Sequence, residues 1–291
     1  MRGNPHAHQL IAPADLGSAL RILADEPGQW TPIADGTEIM VAHAAGKLVA
    51  KRLISLWNLP ELRFISATTD TITIGAAATF AEIRRSAAIA AHLPLLAQAA
   101  SWIGSIANQS RATLGGNLVN GSPAADSSPA LLVHDAKIET ISLRAKRRIP
   151  YAEFHTGYKR NALAPDELLY AVHIPLCFAT HRQYIRKVGT RRAMAISKVA
   201  LAATAQLESK IVKEIRIAAA SLAPFPARLY RTEESLLGKS IGSQTIAAAR
   251  AALLAEAAPI DDIRSTASYR SRVAANLLEE FLSSLTEESP A

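Results

Sequence analysis

Two short stretches of the 291-residue chain combine glycine with a threonine hydroxyl in a pattern that suits an anion site. "IADGTEI" runs from Ile33 to Ile39, and "ATLGGN" runs from Ala112 to Asn117. In each, glycine (Gly36, or Gly115 and Gly116) lets backbone N–H groups come close to an anion, and a threonine hydroxyl (Thr37 or Thr113) adds a donor. Two such bends from different parts of one domain can converge on a diphosphate, whereas a single phosphate would scarcely need both. Asp126, further along the second stretch, would repel a phosphate but can accept hydrogen bonds from sugar or polyol hydroxyls. Taken singly, either bend also reads as an ordinary tight turn.

Other catalytic patterns fail on inspection. "AHAAGKL" (residues 42–48) resembles a phosphate loop, but Val41 stands where the first glycine belongs and Leu48 where a metal-binding hydroxyl belongs. His6 and His8 offer two ligands near a terminus and no supporting shell. The chain has one cysteine, Cys177, so an internal disulfide framework and a cysteine-held cluster are excluded; its apolar neighbours predict a buried, inert thiol. There is no G-x-S-x-G elbow and no H-E-x-x-H helix. Any chemistry here belongs to a bound cofactor.

Length predicts two domains, and the hydrophobic 49% is dispersed, with no stretch approaching the roughly 20 apolar residues of a membrane span. The first fifteen residues lack a signal-peptide core, so we expect a cytoplasmic protein. The formal charge of +7 raises nucleic acid as a partner. The basic residues are scattered, however, and the densest run, Arg144–Arg148, lacks interleaved aromatics and reads as a solvated hairpin tip.

The elements that must position the two bends follow a mixed order. Leu16, Leu20 and Leu23 predict a helix with Asp15 or Ser18 as its cap. Thr31–Ala34 reads as a short strand leading into the first bend. "KRLISLWNLPELRFI" reads as a strand, a turn at residues 58–60 and a strand from about Leu62; "TDTITIG" reads as a hairpin arm, and a helix ends near Gly104 just before the second bend. Two strands flank the basic turn, and "DELLYAVHIP" adds another that Pro175 ends. From about Gln183 we expect two long antiparallel strands turning near Ser209, then three helices, and no low-complexity tail beyond "TEESPA". The domain boundary is expected between Pro175 and Gln183.

Taken together, "IADGTEI", "LPELRFI", "TLGGNLVNGSPAADSSPALL", "FHTGYKRNALAPDELLYAVHIP", "YIRKVGTRRAMAISKVALA" and "DIRSTASYRSRVAANLL" span nearly the whole chain. In that order they resemble the FAD-binding medium subunit of the molybdenum hydroxylases, the family of xanthine dehydrogenase and aerobic carbon monoxide dehydrogenase. The resemblance implies an α+β chain. Residues 1–178 would form an FAD-binding domain of the vanillyl-alcohol oxidase (PCMH) type, with subdomains of about 1–57 and 58–178, and residues 179–291 a domain of small antiparallel sheet plus three helices. It implies FAD contacts at Ile33, Ala34, Asp35, Gly36, Thr37, Glu38 and Ile39, and at Thr113, Leu114, Gly115, Gly116 and Asn117. Asp126 matches the family's aspartate, Leu169 a residue packed on the isoalloxazine, and Lys187 a lysine at the ring's polar edge. Ile103 stands where animal members place an aromatic ring. Tyr158 matches a loop at the flavin's open face, where it would affect acceptor access. No catalytic residue and no metal ligand is implied in this chain.

The pattern departs from the family at Asp35, where many relatives have a second glycine, and at Gln109-Ser110, where many have Arg-Asn. An anion at position 35 would sit beside the expected phosphates unless its side chain turns away. By the same resemblance, a molybdopterin large subunit and a [2Fe–2S] small subunit are the partners in a hetero-oligomer, for which a dimer of heterotrimers is one arrangement. NAD, a quinone or oxygen is the acceptor. "GYKRN" favours a xanthine dehydrogenase type over a carbon monoxide dehydrogenase or other aldehyde- or heterocycle-oxidising type. A stand-alone flavin oxidase and a flavin-free scaffold are the rival readings.

Overall fold

A computed structural model describes residues 3–286; most of the terminal "TEESPA" lies outside these residues. Three strands, β1 (Gln9–Ile11), β2 (Thr31–Ile33) and β3 (Arg52–Ser55), form a parallel sheet in the order β1-β3-β2. The helix Leu16–Asp25 connects the first two. It begins as expected, with an Asp15 carboxylate oxygen accepting from the Ser18 N–H at 2.7 Å, and it buries Leu16, Leu20 and Leu23. The apolar run after the first bend forms a helix, Ile39–Ala44, which leaves Met40 and Val41 exposed.

A second sheet holds β4 (Ile65–Ala67), β5 (Thr71–Gly75), β6 (Lys137–Ile141) and β7 (Lys146–Pro150). The small hairpin of β8 (His155–Gly157) and β9 (Arg160–Asn161) follows, and then β10 (Leu168–Pro175) enters the centre of the sheet. The order is β4-β5-β10-β6-β7, antiparallel throughout. The segment expected to start a strand at Leu62 is instead a short 3-10 turn, Pro60–Leu62, and β4 begins only at Ile65. Proline suits the first position of such a turn, and Leu62 fills the core beneath it.

The third sheet has the order β11 (Arg182–Val188), β12 (Val199–Glu208), β13 (Ile211–Ala220) and β14 (Ala227–Arg228). The first of the two expected long strands is therefore broken into β11 and β12 by residues 189–198. The turn between β12 and β13 lies where expected, with Ser209 and Lys210 at positive φ. One face of this sheet covers the helix Ser127–Val133, and the other carries the helix Ala267–Ser284. All seven residues of Ser127–Val133 are buried, and Leu131 and Leu132 each contribute about 1.5–3 kcal/mol of hydrophobic stabilisation. Alanines at 200, 202 and 203 of β12 and 218–220 of β13 let both helices approach closely.

Two smaller expectations resolve differently. Cys177 is exposed, not buried: Pro175 ends β10, and in the turn that follows Leu176 and Phe178 pack inward while the thiol between them faces out. The basic run does reach solvent, but most of it lies on β7, where Lys146 and Arg148 pair with Glu139 and Arg147 pairs with Glu167. Among the described residues no helix is long and apolar enough to cross a membrane.

Candidate functional site

A cleft of about 610 Å³ lies where the first sheet meets the second. Its size falls within the range of small-molecule and cofactor sites. Residues 34–39 leave the carboxyl end of the parallel strand β2 and line it, a common ligand position in open parallel sheets. Ile103, Thr113, Gly115, Gly116, Asn117 and Leu169 line it from the other side. The two glycine bends, far apart in sequence, thus share one cleft. Ile33 and Leu114 stand behind it, Ile33 under Gly36 and Leu114 fully buried in the core.

The first bend leaves a run of backbone donors facing the cleft. Gly36 has φ +82°, and a Cβ there would come within 2.8 Å of Met40 Cγ and 3.2 Å of Ile33 Cδ1. Its carbonyl accepts from the Met40 N–H at 2.8 Å, which starts the next helix. Among the described residues, the backbone N–H groups of residues 35–39 make no hydrogen bond. Such a run of free donors suits a ligand carrying oxygen anions. Replacing Gly36 with alanine forces a side chain into the left-handed region. It is expected to cost about 1–2 kcal/mol, measured as a lowered urea midpoint.

The second bend works differently from the sequence expectation. The Leu114 and Gly115 N–H groups donate to the Ala78 and Ala76 carbonyls, at 2.9 and 2.8 Å, and the Gly116 N–H donates to Thr113 Oγ1 at 3.1 Å. Thr113 is the N-cap of the helix Leu114–Asn120. Gly115 is required by a close approach within the protein itself, since its Cβ would lie 2.7 Å from Ala76 Cβ and 2.8 Å from the Ala76 carbonyl oxygen.

The acidic groups around the cleft are all paired. Asp35 accepts two bonds from Arg111, one from Nε and one from Nη2 at 2.7 Å, so the anion that the sequence places beside the expected phosphates has a cation against it. Glu38 lies 3.4 Å from Lys159, whose neighbour Tyr158 is exposed at the tip of the β8–β9 hairpin. Glu167 is held by Arg147 at 2.6 Å and accepts from the Ala164 N–H; chiefly through the arginine, its pKa falls to about 2. Gln109 faces away from the cleft, bonded to Arg84 and to the Ser101 carbonyl, while Ser110 Oγ donates to the Ile106 carbonyl.

Asp126 and Lys187 meet each other behind the cleft wall. The Lys187 ammonium is 2.6 Å from Asp126 Oδ2 and 3.1 Å from the Trp102 carbonyl, next to Ile103. Ser197 donates to the other carboxylate oxygen. Both side chains are about nine-tenths buried. Burial pushes the Asp126 carboxyl pKa up, while the ammonium and the hydroxyl pull it down. The next residue, Ser127, donates to Asn117 Oδ1 at 2.7 Å, so this pair adjoins the second bend through one residue on each side. The pair ties Lys187 of β11 to Asp126, the residue that precedes the helix Ser127–Val133.

The geometry fits a dinucleotide carrying a diphosphate: free N–H donors at one bend, a glycine-tight second bend and an apolar wall including Leu169. Comparison with known proteins agrees. Residues 6–177 match the family described as FAD binding domain in molybdopterin dehydrogenase, and residues 184–285 match the CO dehydrogenase flavoprotein C-terminal domain. The chain belongs to this family of FAD-binding oxidoreductase subunits, and its cofactor is FAD. It is 32% identical over 272 residues to the xanthine dehydrogenase FAD-binding subunit of Escherichia coli O157:H7, covering 93% of each chain. It is 26% identical over 278 residues to the carbon monoxide dehydrogenase medium chain of Hydrogenophaga pseudoflava, covering 96% of each. A solved carbon monoxide dehydrogenase from that organism superimposes with a TM-score of 0.91 at 25% identity, over 96% of each chain. Sequence reading missed Arg111 and Glu167 at the cleft. A cation directly before the second bend was the available signal for Arg111, given an unexplained anion in the first.

Proposed function

We propose that this chain is the FAD-bearing electron-transfer subunit of a molybdenum hydroxylase complex of the xanthine dehydrogenase type. In this reading it receives electrons from a [2Fe–2S] subunit, fed by a molybdopterin subunit, and passes them in the cytoplasm to NAD, a quinone or oxygen. Residues 1–178 form the flavin domain, with subdomains 1–57 and 58–178, and residues 179–291 form the domain that covers it. Bound flavin supplies reversible redox chemistry that no side chain here can supply. The protein's part is to bind and orient. The free N–H groups of residues 35–39 receive the diphosphate, the second bend, whose N–H groups are bonded within the protein, walls the same cleft, and Leu169 and Ile103 give apolar contact. Lys187 and Asp126 act as a compensated charge pair directly behind that wall.

The observation that carries this reading is the convergence of the two bends on one cleft, with the first bend's donors free. The xanthine dehydrogenase type is favoured over the carbon monoxide type by the higher identity to the former, 32% against 26%. Against a stand-alone oxidase stands the pairing of Asp35, Glu38 and Glu167, which leaves no free carboxylate base among the described residues lining the cleft. Purification from the native cell tests the proposal. The expected result is a yellow chain that turns over no substrate alone and co-purifies with molybdenum- and iron-containing partners. A colourless chain that cannot be reconstituted with FAD, or substrate turnover by the chain alone, overturns it.

A further inference from the structure

Asp35 places a carboxylate inside the bend that is to receive a diphosphate. Its side chain is 7% exposed, so water screens it little, and it lines the same cleft as the free N–H groups of residues 35–39. In so confined a place, a carboxylate and a diphosphate repel each other strongly. Arg111 answers this with two parallel bonds to Asp35 from the opposite wall, and its own side chain is 63% exposed at the cleft. Two parallel N–H···O bonds fix the guanidinium against the carboxylate in a geometry that lysine does not reproduce.

We infer that Arg111 is a determinant of cofactor binding that acts through Asp35: it neutralises the carboxylate so that the first bend can accept a diphosphate. Arg111 is in this sense a positioning residue. The inference rests on the reading of the cleft as the FAD site. It makes positions 35 and 111 one functional unit, so an aspartate in the first bend requires a cation before the second.

The test uses the full chain freed of flavin, with FAD affinity measured by quenching of flavin fluorescence and ADP competition as a flavin-free diphosphate probe. Arg111→Ala is expected to weaken both ligands at least about tenfold, the loss typical of an uncompensated charge in such a site. Arg111→Lys, a cation without the fork, restores part of the affinity. In an Asp35→Gly background, Arg111→Ala changes affinity by less than about threefold, because there is no carboxylate left to neutralise. Arg111→Gln repeats the comparison if the alanine variant does not fold. An Arg111→Ala chain that binds FAD as tightly as the wild type overturns the inference, as does an equal loss in the Asp35→Gly background. Failure of both the wild type and Asp35→Gly to take up FAD would instead sink the assignment of the cofactor site.

Discussion

Lys187→Met lowers the unfolding free energy by about 3–5 kcal/mol, read as a fall in the urea midpoint of the full chain. The reason is the burial of its partner. Asp126 and Lys187 are about nine-tenths buried, and removing the ammonium leaves a carboxylate supported only by the Ser197 hydroxyl. The double variant Lys187→Met/Asp126→Leu recovers most of the loss, since a buried pair replaced by apolar residues is often close to neutral. The sign of the pH dependence follows from the same carboxylate. With its folded pKa raised by burial, Asp126 is least harmful when protonated, so the single variant's deficit is smallest in acid and grows as pH rises through that raised value. A deficit that stays the same from acid to neutral pH would show that Lys187 stabilises by packing and not by charge. The pair joins β11 to the start of the helix Ser127–Val133, so its loss also loosens the seam between the covering sheet and the flavin domain.

Gly115→Ala carries the second large effect. The added methyl would meet the Ala76 Cβ, carbonyl oxygen and Cα at 2.7, 2.8 and 3.1 Å, and the two backbone atoms cannot rotate away as a side-chain end could. Overpacking of this kind costs about 1–3 kcal/mol. The Gly115 N–H bond to the Ala76 carbonyl, which fixes the second bend to the end of β5, must lengthen. We therefore expect a lower unfolding midpoint together with at least about a tenfold loss of FAD affinity. Gly116→Ala provides the contrast in stability. Its Cβ would meet only Thr113 Oγ1, at 3.0 Å, and a hydroxyl can shift where a carbonyl cannot. Equal destabilisation by the two substitutions would count against a role for Ala76.

Much of this architecture was legible because its causes are local. The Asp15 cap and the Leu16, Leu20, Leu23 stripe both act within one or two turns of chain, and each lies where its spacing requires. The left-handed turn at Ser209 and Lys210 is likewise short-range. Other readings failed where a distant contact intervened. Pro60–Leu62 became a turn because Leu62 is drawn into the core, and Cys177 faces out because Leu176 and Phe178 on either side of it pack inward. The expected long strand was broken at residues 189–198, where a local signal, Gly189 followed by the polar Thr190, Arg191 and Arg192, interrupts the apolar pattern.

The two glycine bends announced themselves in the sequence, since a missing side chain is a property of single residues. Their reasons did not. Gly36 answers a positive φ, whereas Gly115 answers the backbone of Ala76, which lies 39 positions earlier in the chain. Residue types and order were enough to establish the α+β class, the family resemblance and the cofactor. Charge compensation was decided only in three dimensions: Asp35 gained Arg111, and Asp126 gained Lys187, across sequence separations of 76 and 61 residues. Electrostatic energy depends on distance through space and on the water excluded between the charges, and neither quantity is written along the chain.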